Sequence, residues 1–300
     1  MYELVQAGEK TYYINCPAKM GLYLVGDSAA YLIDSGNDKE AAKRALRHIE
    51  DNGWRLAGII NTHSNADHIG GNAFLQQKTG CKIFCTGMEN AFIKYPLLEP
   101  SFLYGGYPCK MLRNKFLMAS PSTPTDDAAD FLPEGLARLQ LGGHFFDMIG
   151  IKTPDDVYFL ADCVFSETII NKYHLFFIYD VAAFLQTLDL LETLSGRLFI
   201  PAHADAVADI RPLVALNRRK VHEISGLLLQ ICQMPTGFED ILKAVFDAYA
   251  LTMDFDQYAL VGSTLRSYLS YLHDKRLLKA VFSDNRLLWT GTGLADVNAQ

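Results

Sequence analysis

Short runs of β-branched and aromatic residues at 12–15, 22–25 and 31–33 alternate with Pro17, Gly21 and the pair Gly26-Asp27, which predicts three consecutive antiparallel strands. From residue 37 to 52 the period changes. Ala41, Ala45, Leu46 and Ile49 fall on one helical face, Asn37 and Glu40 form an Asn-x-x-Glu start, and Gly53 stands just past the end, so a capped amphipathic helix is expected. Residues 54–60 return to strand character. Between 95 and 133 the regularity fails: Pro96, Pro100, Pro108, Pro121, Pro124, Gly105-Gly106 and several aromatics predict a long insertion over the surface, of the kind that serves as a lid or cover. Strand-like runs resume at 138–141, 148–151 and 157–160, followed by an amphipathic stretch at 180–194 and an apolar run at 198–200. The alternation implies a layered α/β architecture.

Beyond Pro212, placed as the first residue of a helix, Leu213, Leu216, Lys220, Ile224, Leu228 and Ile231 repeat at helical spacing and predict a long connecting helix. Helices are expected at 240–249 and 258–275, then a hairpin of 278–282 and 286–290 around Ser283-Asp284-Asn285. This reads as a small α+β winged-helix-like module, giving two domains, 1–211 and 212–300.

Composition narrows the function. With 300 residues, 50% apolar and 20% charged, the chain has the material for a sizeable core, and a disordered chain is excluded. The 27 basic and 34 acidic side chains, a formal charge of −7, lack the positive field that nucleic acid requires. The last helix and hairpin carry Arg266, Lys275, Arg276, Lys279 and Arg286 against Asp274 and Asp284, so packing on the first domain or forming a homodimer is the expected role of the tail, rather than binding DNA. No apolar run approaches the roughly 18–20 residues of a membrane span, and the first ten residues lack the features of a secretory signal, so a soluble, cytoplasmic protein is expected, with no membrane partner. Cys16, Cys81, Cys85, Cys109, Cys163 and Cys232 have no regular spacing and are expected as reduced thiols. Cys163 is read as a core residue, because alternation turns it away from the side that Asp162 faces.

The densest polar stretch is residues 61–71, Asn-Thr-His-Ser-Asn-Ala-Asp-His-Ile-Gly-Gly, between an expected strand and an expected helix. A loop at a strand end can aim several side chains at one point, and Gly70-Gly71 lets the backbone turn sharply. Gly142-Gly143-His144, Leu160-Ala161-Asp162 and Pro201-Ala202-His203 each bring one imidazole or carboxylate to a later strand end or turn. Imidazole and carboxylate together suit a borderline divalent ion such as zinc. His48, His222 and His273 lie in helical or polar stretches and are read as surface or packing residues.

On these residues the sequence resembles the metallo-β-lactamase superfamily over about 10–205, with Leu32-Ile33-Asp34-Ser35-Gly36 similar to the family's Asp-bearing turn and 143–150 similar to the strand-turn that carries the third His. The resemblance implies a four-layer αββα sandwich. It implies one metal position drawing on His63, residue 65, His144 and Asp162, and a second on Asp67, His68, His203 and the shared Asp162. The family's His is replaced by Asn65, whose carbonyl is a poorer zinc ligand than imidazole, so unequal occupancy is expected, with the second position filled first. Asp67 would orient the attacking water or take its proton, and Asp34 would fix the loop from behind. Tyr173 and His174 are expected near the cleft, where they would hold a substrate carboxylate or phosphate.

Three functions are consistent with these residues. The first is a zinc hydrolase using a metal-bound hydroxide on a small ester, thioester, amide or phosphoester, with one or two ions, iron or manganese being alternatives to zinc. The second is a mononuclear non-haem iron oxidoreductase built on His63, His144 and Asp162. The third is a non-catalytic relative whose metal position is depleted by Asn65.

Overall fold

The N-terminal pattern folds into a meander. In the computed structural model, which describes residues 2–128 and 131–293, strands β1 (Glu3–Gln6), β2 (Thr11–Asn15), β3 (Met20–Val25) and β4 (Ala29–Ile33) pair antiparallel in chain order. The sequence pattern does not single out β1. Helix α1 (Lys39–Asp51) carries the chain to β5 (Arg55–Ile60), which lies parallel to β4. The cap of α1 differs from the expectation: Asp38, not Asn37, accepts from the backbone N–H groups of Glu40 and Ala41, because Asp38 is the extended residue one step before the first helical turn. Helices α2 (Ala66–Ile69) and α3 (Asn72–Thr79) then lead to β6 (Lys82–Cys85), parallel to β5.

Residues 95–133 are more ordered than their prolines suggest. After α4 (Gly87–Lys94) comes α5 (Leu98–Tyr104), with Pro100 in its first turn, where backbone N–H groups need no partner within the helix. A 3-10 turn (Lys110–Leu112) follows, and β7 (Asp126–Asp127) closes a seven-stranded sheet. Leu103, Leu112 and Leu117 are buried together with Ala259 of the tail, so much of this segment is packed rather than draped over the surface. Residues 129–130 of the insertion and 294–300 of the tail lie outside the described residues.

A second sheet has the order β11-β10-β9-β8, built from β8 (Ala137–Gln140), β9 (Ile149–Lys152), β10 (Val157–Phe159) and β11 (Leu198–Ile200). Helices α6 (Glu167–Tyr173) and α7 (Val181–Thr193) connect β10 to β11, and α8 (Arg211–Ile231) follows. The period of two in the strands separates the layers. Ile33, Ile60 and Phe84 face Ile149, Ile151, Phe159 and Ile200 between the sheets, whereas their neighbours Leu32, Ile59 and Ile83 face Ala45, Ile49 and Leu75 on the opposite side. The outer face of the second sheet packs on Phe184 and Leu188 of α7 and Val221 and Ile224 of α8. The result is the αββα sandwich.

The tail contains α9 (Phe238–Ala248), α10 (Phe255–Asp274) and a small sheet of β12 (Thr236–Gly237), β13 (Leu278–Ser283) and β14 (Arg286–Gly291), ordered β12-β14-β13. Asp284 and Asn285, with φ of 50° and 59°, make the two-residue turn of the hairpin. The apolar cluster around α7 and α8 continues into Ile241 and Val245 of α9 and Leu265 and Tyr268 of α10. The tail therefore shares a core with the sandwich across residue 211. Among the described residues, no helix is long and apolar enough to cross a membrane.

Topology brings the polar strand ends together. Because β4 and β5 are parallel, Asp34 and the 61–68 segment leave the first sheet at one edge. Because β10 and β11 are parallel, Asp162 and His203 leave the second sheet at one edge, and the turn before β9, which bears His144, lies there too since β9 runs antiparallel to β10. A hydrogen bond from the Ile149 N–H to the Thr62 carbonyl, 2.9 Å, joins the two edges. Gly143 makes the turn possible: its φ is +114°, and a Cβ there would stand 2.2 Å from the backbone nitrogen of Phe184 in α7. Gly143→Ala is expected to cost roughly 1–3 kcal/mol and lower the thermal midpoint by several degrees. Gly142→Ala, whose added Cβ would meet Ala183 at an ordinary 3.6 Å, serves as the control and should melt near wild type. Equal midpoints for the two variants would contradict this account of the turn.

Candidate metal centre

Buried carboxylates hold the 61–71 segment in place. Asp34, itself at a left-handed φ of 59°, accepts from the Thr62 N–H at 2.8 Å, the Thr62 hydroxyl at 2.7 Å and His68 Nδ1 at 2.8 Å. Glu89 of α4 accepts from the N–H and hydroxyl of Ser64 and from the Asp147 N–H at 2.7 Å, tying the segment to the His144 turn. Burial pushes the Glu89 carboxyl up to about 7, against the pull of these hydrogen bonds. Behind Ile69, the buried amides of Asn61 and Asn72 bond each other, and Ser35 bonds the His68 carbonyl and the Gly71 N–H. On the second sheet, Asn217 of α8 bonds both backbone groups of Phe165, which bridges to His203.

The tautomers of the four imidazoles follow from these partners. The Thr62 hydroxyl donates its hydrogen to Asp34, so toward His63 Nδ1, at 3.0 Å, it is an acceptor, and the ring hydrogen sits on Nδ1. His68 Nδ1 faces the Asp34 carboxylate. His144 Nδ1 donates to the Phe177 carbonyl at 2.9 Å and His203 Nδ1 to the Pro17 carbonyl at 3.1 Å. In the neutral rings each Nε2 is left as a lone pair.

Those Nε2 atoms converge on two carboxylates. His68 Nε2 is 3.1 Å from one oxygen of Asp162, and His203 Nε2 is 3.1 Å from the other, which is 3.6 Å from His144 Nε2. Asp67 lies 3.2 Å from His203 Nε2 and 3.7 Å from His68 Nε2, and its side chain is 40% exposed. Burial holds the His63 and His144 rings below the usual imidazole range. At His68 and His203 burial acts the same way but is outweighed by Asp162 and Asp67, which hold His68 well above that range and His203 up to about 10. Against burial, His68 and His203 keep Asp67 and Asp162 below the carboxylate range.

This donor set fits a divalent cation. Among the described residues, His63, His144 and Asp162 form one group and Asp67, His68 and His203 another, with the donor atoms of each within 4.8 Å of one another. The Nε2 atoms of His63 and His68 and one oxygen of Asp162 are buried with no hydrogen-bond partner, a costly state unless a cation takes their lone pairs. Each of the four imidazoles has its Nδ1 against a protein acceptor, the support that metal-bound histidine usually has.

The remaining candidates are placed differently. Asn65 sits beside the first group, with its Oδ1 3.0 Å from His144 Nε2 and its Nδ2 donating to Glu99 of α5 at 2.7 Å. Tyr173 ends α6, 39% exposed, and the His174 ring stacks on Tyr249 at 4.5 Å with Nδ1 3.2 Å from Lys220 Nζ. Neither joins the donor groups. Phe102 packs on Phe146 and Tyr179, while Tyr104 and Tyr107 are exposed. Sequence reasoning missed Glu89 and Glu99. A signal exists for both: Glu89 shares a helical face with Phe92 and Ile93, and Glu99 shares one with Leu103, an expensive place for a carboxylate without a task.

Comparison with known proteins agrees with this geometry. The family model described as the metallo-beta-lactamase superfamily matches residues 22–203. A hydroxyacylglutathione hydrolase of Rhodopseudomonas palustris BisB18 is 44% identical over 148 residues, 48% of this chain and 48% of that protein. One of Bradyrhizobium sp. ORS 278 is 41% identical over 61 residues, 20% of this chain and 24% of that protein. The chain thus spans about half or less of the length of these curated relatives. Among solved structures, a metallo-beta-lactamase family protein of Thermus thermophilus superposes with a TM-score of 0.70 at 18% identity, covering 94% of this chain and 98% of that one. A beta-lactamase domain protein of Burkholderia ambifaria gives 0.71 at 15% identity, covering 97% and 95%. With its strand-end imidazoles converging on Asp162 and the family model matching most of the sandwich, the chain belongs to the metallo-β-lactamase superfamily.

Proposed function

We propose that the chain is a metal-dependent hydrolase of a small ester, thioester, amide or phosphoester, with zinc as its ion and a thioester as the first substrate to test. The observation that carries this reading is the convergence of the His68, His144 and His203 Nε2 atoms on Asp67 and Asp162, with His63 in the same donor group as His144 and Asp162. The thioester preference rests on the partial similarity to proteins named hydroxyacylglutathione hydrolase. His68, His203, Asp67 and Asp162 would hold the ion of the fuller position, and His63, His144, Asp162 and Asn65 the other. A bound zinc-type ion supplies water acidified to a pKa of roughly 7 and polarises a carbonyl or phosphoryl oxygen.

The chain's own groups do the rest. Asp67, ionised and at the open side of the site, accepts a proton from the attacking water or orients it. Asp34 keeps the His68 hydrogen on Nδ1 and fixes the Thr62-His63 backbone, so neither ring has to reorganise during turnover. A cavity of about 750 Å³ opens beside His203, lined by Asn15, Lys19, Ser166 and Thr168 among others, and offers room for a small substrate against that one of the donors. The described cysteines are all free, five of them buried, which supports a reducing compartment such as the cytoplasm. The tail, a winged-helix-like module in this reading, braces α8 and through Asn217 the Phe165-His203 strand end.

The oxygen of Asn65 beside His144 gives the iron oxidoreductase its one supporting observation, since two imidazoles with oxygen donors also suit iron. Elemental analysis of protein purified without added metal, combined with oxygen uptake, separates the readings: bound zinc, thioester turnover lost on chelation and restored by zinc, and no oxygen uptake are expected. Iron with oxygen uptake would replace the hydrolase, and no metal with no turnover would leave a non-catalytic scaffold. Asp67→Asn is expected to lower kcat by about 10²-fold or more while the thermal midpoint moves little. An unchanged kcat would remove Asp67 from the proton path.

A further inference from the structure

The geometry points to Glu99 as a positioning residue that fixes the Asn65 amide with its oxygen turned toward His144 of the first donor group, making Asn65 an oxygen ligand in place of an imidazole. The inference rests on the proposed metal-binding reading of the same site. Glu99 is 4% exposed, on the face of α5 that also buries Leu103, and its Oε1 accepts the Asn65 Nδ2–H at 2.7 Å. A carboxyl oxygen in this position takes an amide N–H, so the amide oxygen is sent the other way, to 3.0 Å from His144 Nε2. That nitrogen carries no hydrogen in the neutral ring, because the Phe177 carbonyl holds the hydrogen on Nδ1. The Asn65 oxygen and His144 Nε2 thus stand 3.0 Å apart beside the first donor group, close enough for one cation to engage both.

The consequence is a change of ligand character. The first position offers two imidazoles, one carboxylate and one amide oxygen, whereas the second keeps two imidazoles and two carboxylates. Carbonyl oxygen suits manganese better than it suits zinc, so the first position has a weaker preference for zinc than an imidazole at residue 65 would give. The α5 insertion thus reaches into the metal site through a single buried carboxyl, and specificity for the ion becomes a property of that insertion.

Full-length protein stripped with a chelator and titrated with Zn²⁺ and with Mn²⁺, followed by calorimetry and by the Mn²⁺ electron paramagnetic resonance signal, tests this without relying on activity. Wild type is expected to show two classes of site, the weaker one discriminating little between the ions. Glu99→Leu should weaken that class about 10-fold or more and leave the stronger class within about twofold, in line with the cost of losing a residue that orients a ligand. Glu99→Gln, which keeps an acceptor oxygen, should restore most of the loss. Asn65→His should raise the zinc affinity of the weaker class and lower its relative affinity for manganese. Unchanged affinities in Glu99→Leu, or an equal loss at both classes, would overturn the positioning role. If Glu99→Leu fails to fold, Asn65→His decides alone: no change in its zinc-to-manganese preference overturns the inference. Absence of any divalent binding by wild type would instead sink the metal-binding reading itself, a result distinct from both.

Discussion

Everything at the centre of this molecule depends on where four ring hydrogens go. The Thr62 hydroxyl, the Asp34 carboxylate and the Phe177 and Pro17 carbonyls each claim the Nδ1 side of one imidazole, and the opposite nitrogens are left as lone pairs around Asp162. Buried acceptors gathered at such density repel one another and are costly without a positive charge between them. The same carboxylates, acting against burial, hold His68 and His203 above the usual imidazole range, as a pocket that favours positive charge does. The fold supplies the walls that keep these groups together. The two sheets pack face to face and are tied at one rim by the Ile149-Thr62 hydrogen bond, and the strand directions of β4, β5, β10 and β11 deliver the polar ends to that rim.

The sequence made that rim legible because strand ends have recognisable chemistry. An apolar run followed closely by His or Asp is visible in one dimension, and His63, Asp162 and His203 follow β5, β10 and β11 that way, while Asp67 and His68 sit in the adjoining α2 and His144 in the turn before β9. The meander, the long α8 helix and the hairpin turn at Asp284-Asn285 were readable for the same reason, each having a local signal. What escaped was non-local. The cap of α1 moved by one residue, since Asn37 and Asp38 are equally good capping types and only the backbone decides between them. Glu89 and Glu99 matter through partners 25 and 34 residues away, which no window of sequence contains.

Asn65 links the two sides of this comparison. From sequence it is a lost ligand, and the natural expectation is a weakened or vacant position. In the fold it is a tethered amide, held by Glu99 on one side and facing His144 on the other. A substitution that simply degraded the site would not need a buried carboxyl to orient it. The packing of Leu103, Leu112 and Leu117 against Ala259 then explains how an insertion rich in proline keeps Glu99 in place: the tail acts as the anvil for the segment that carries it.

The central claim is that the convergent Nε2 atoms and carboxylates exist to hold a cation. Anomalous diffraction at the zinc edge, from crystals of chelator-stripped protein reloaded with zinc, tests it most directly. The account predicts an anomalous peak bounded by His68 Nε2, His203 Nε2, Asp67 and Asp162, with any second, weaker peak beside His63 and His144. Crystals with no peak at these positions, in which the same rings are hydrogen-bonded as imidazolium partners of Asp162, would contradict it.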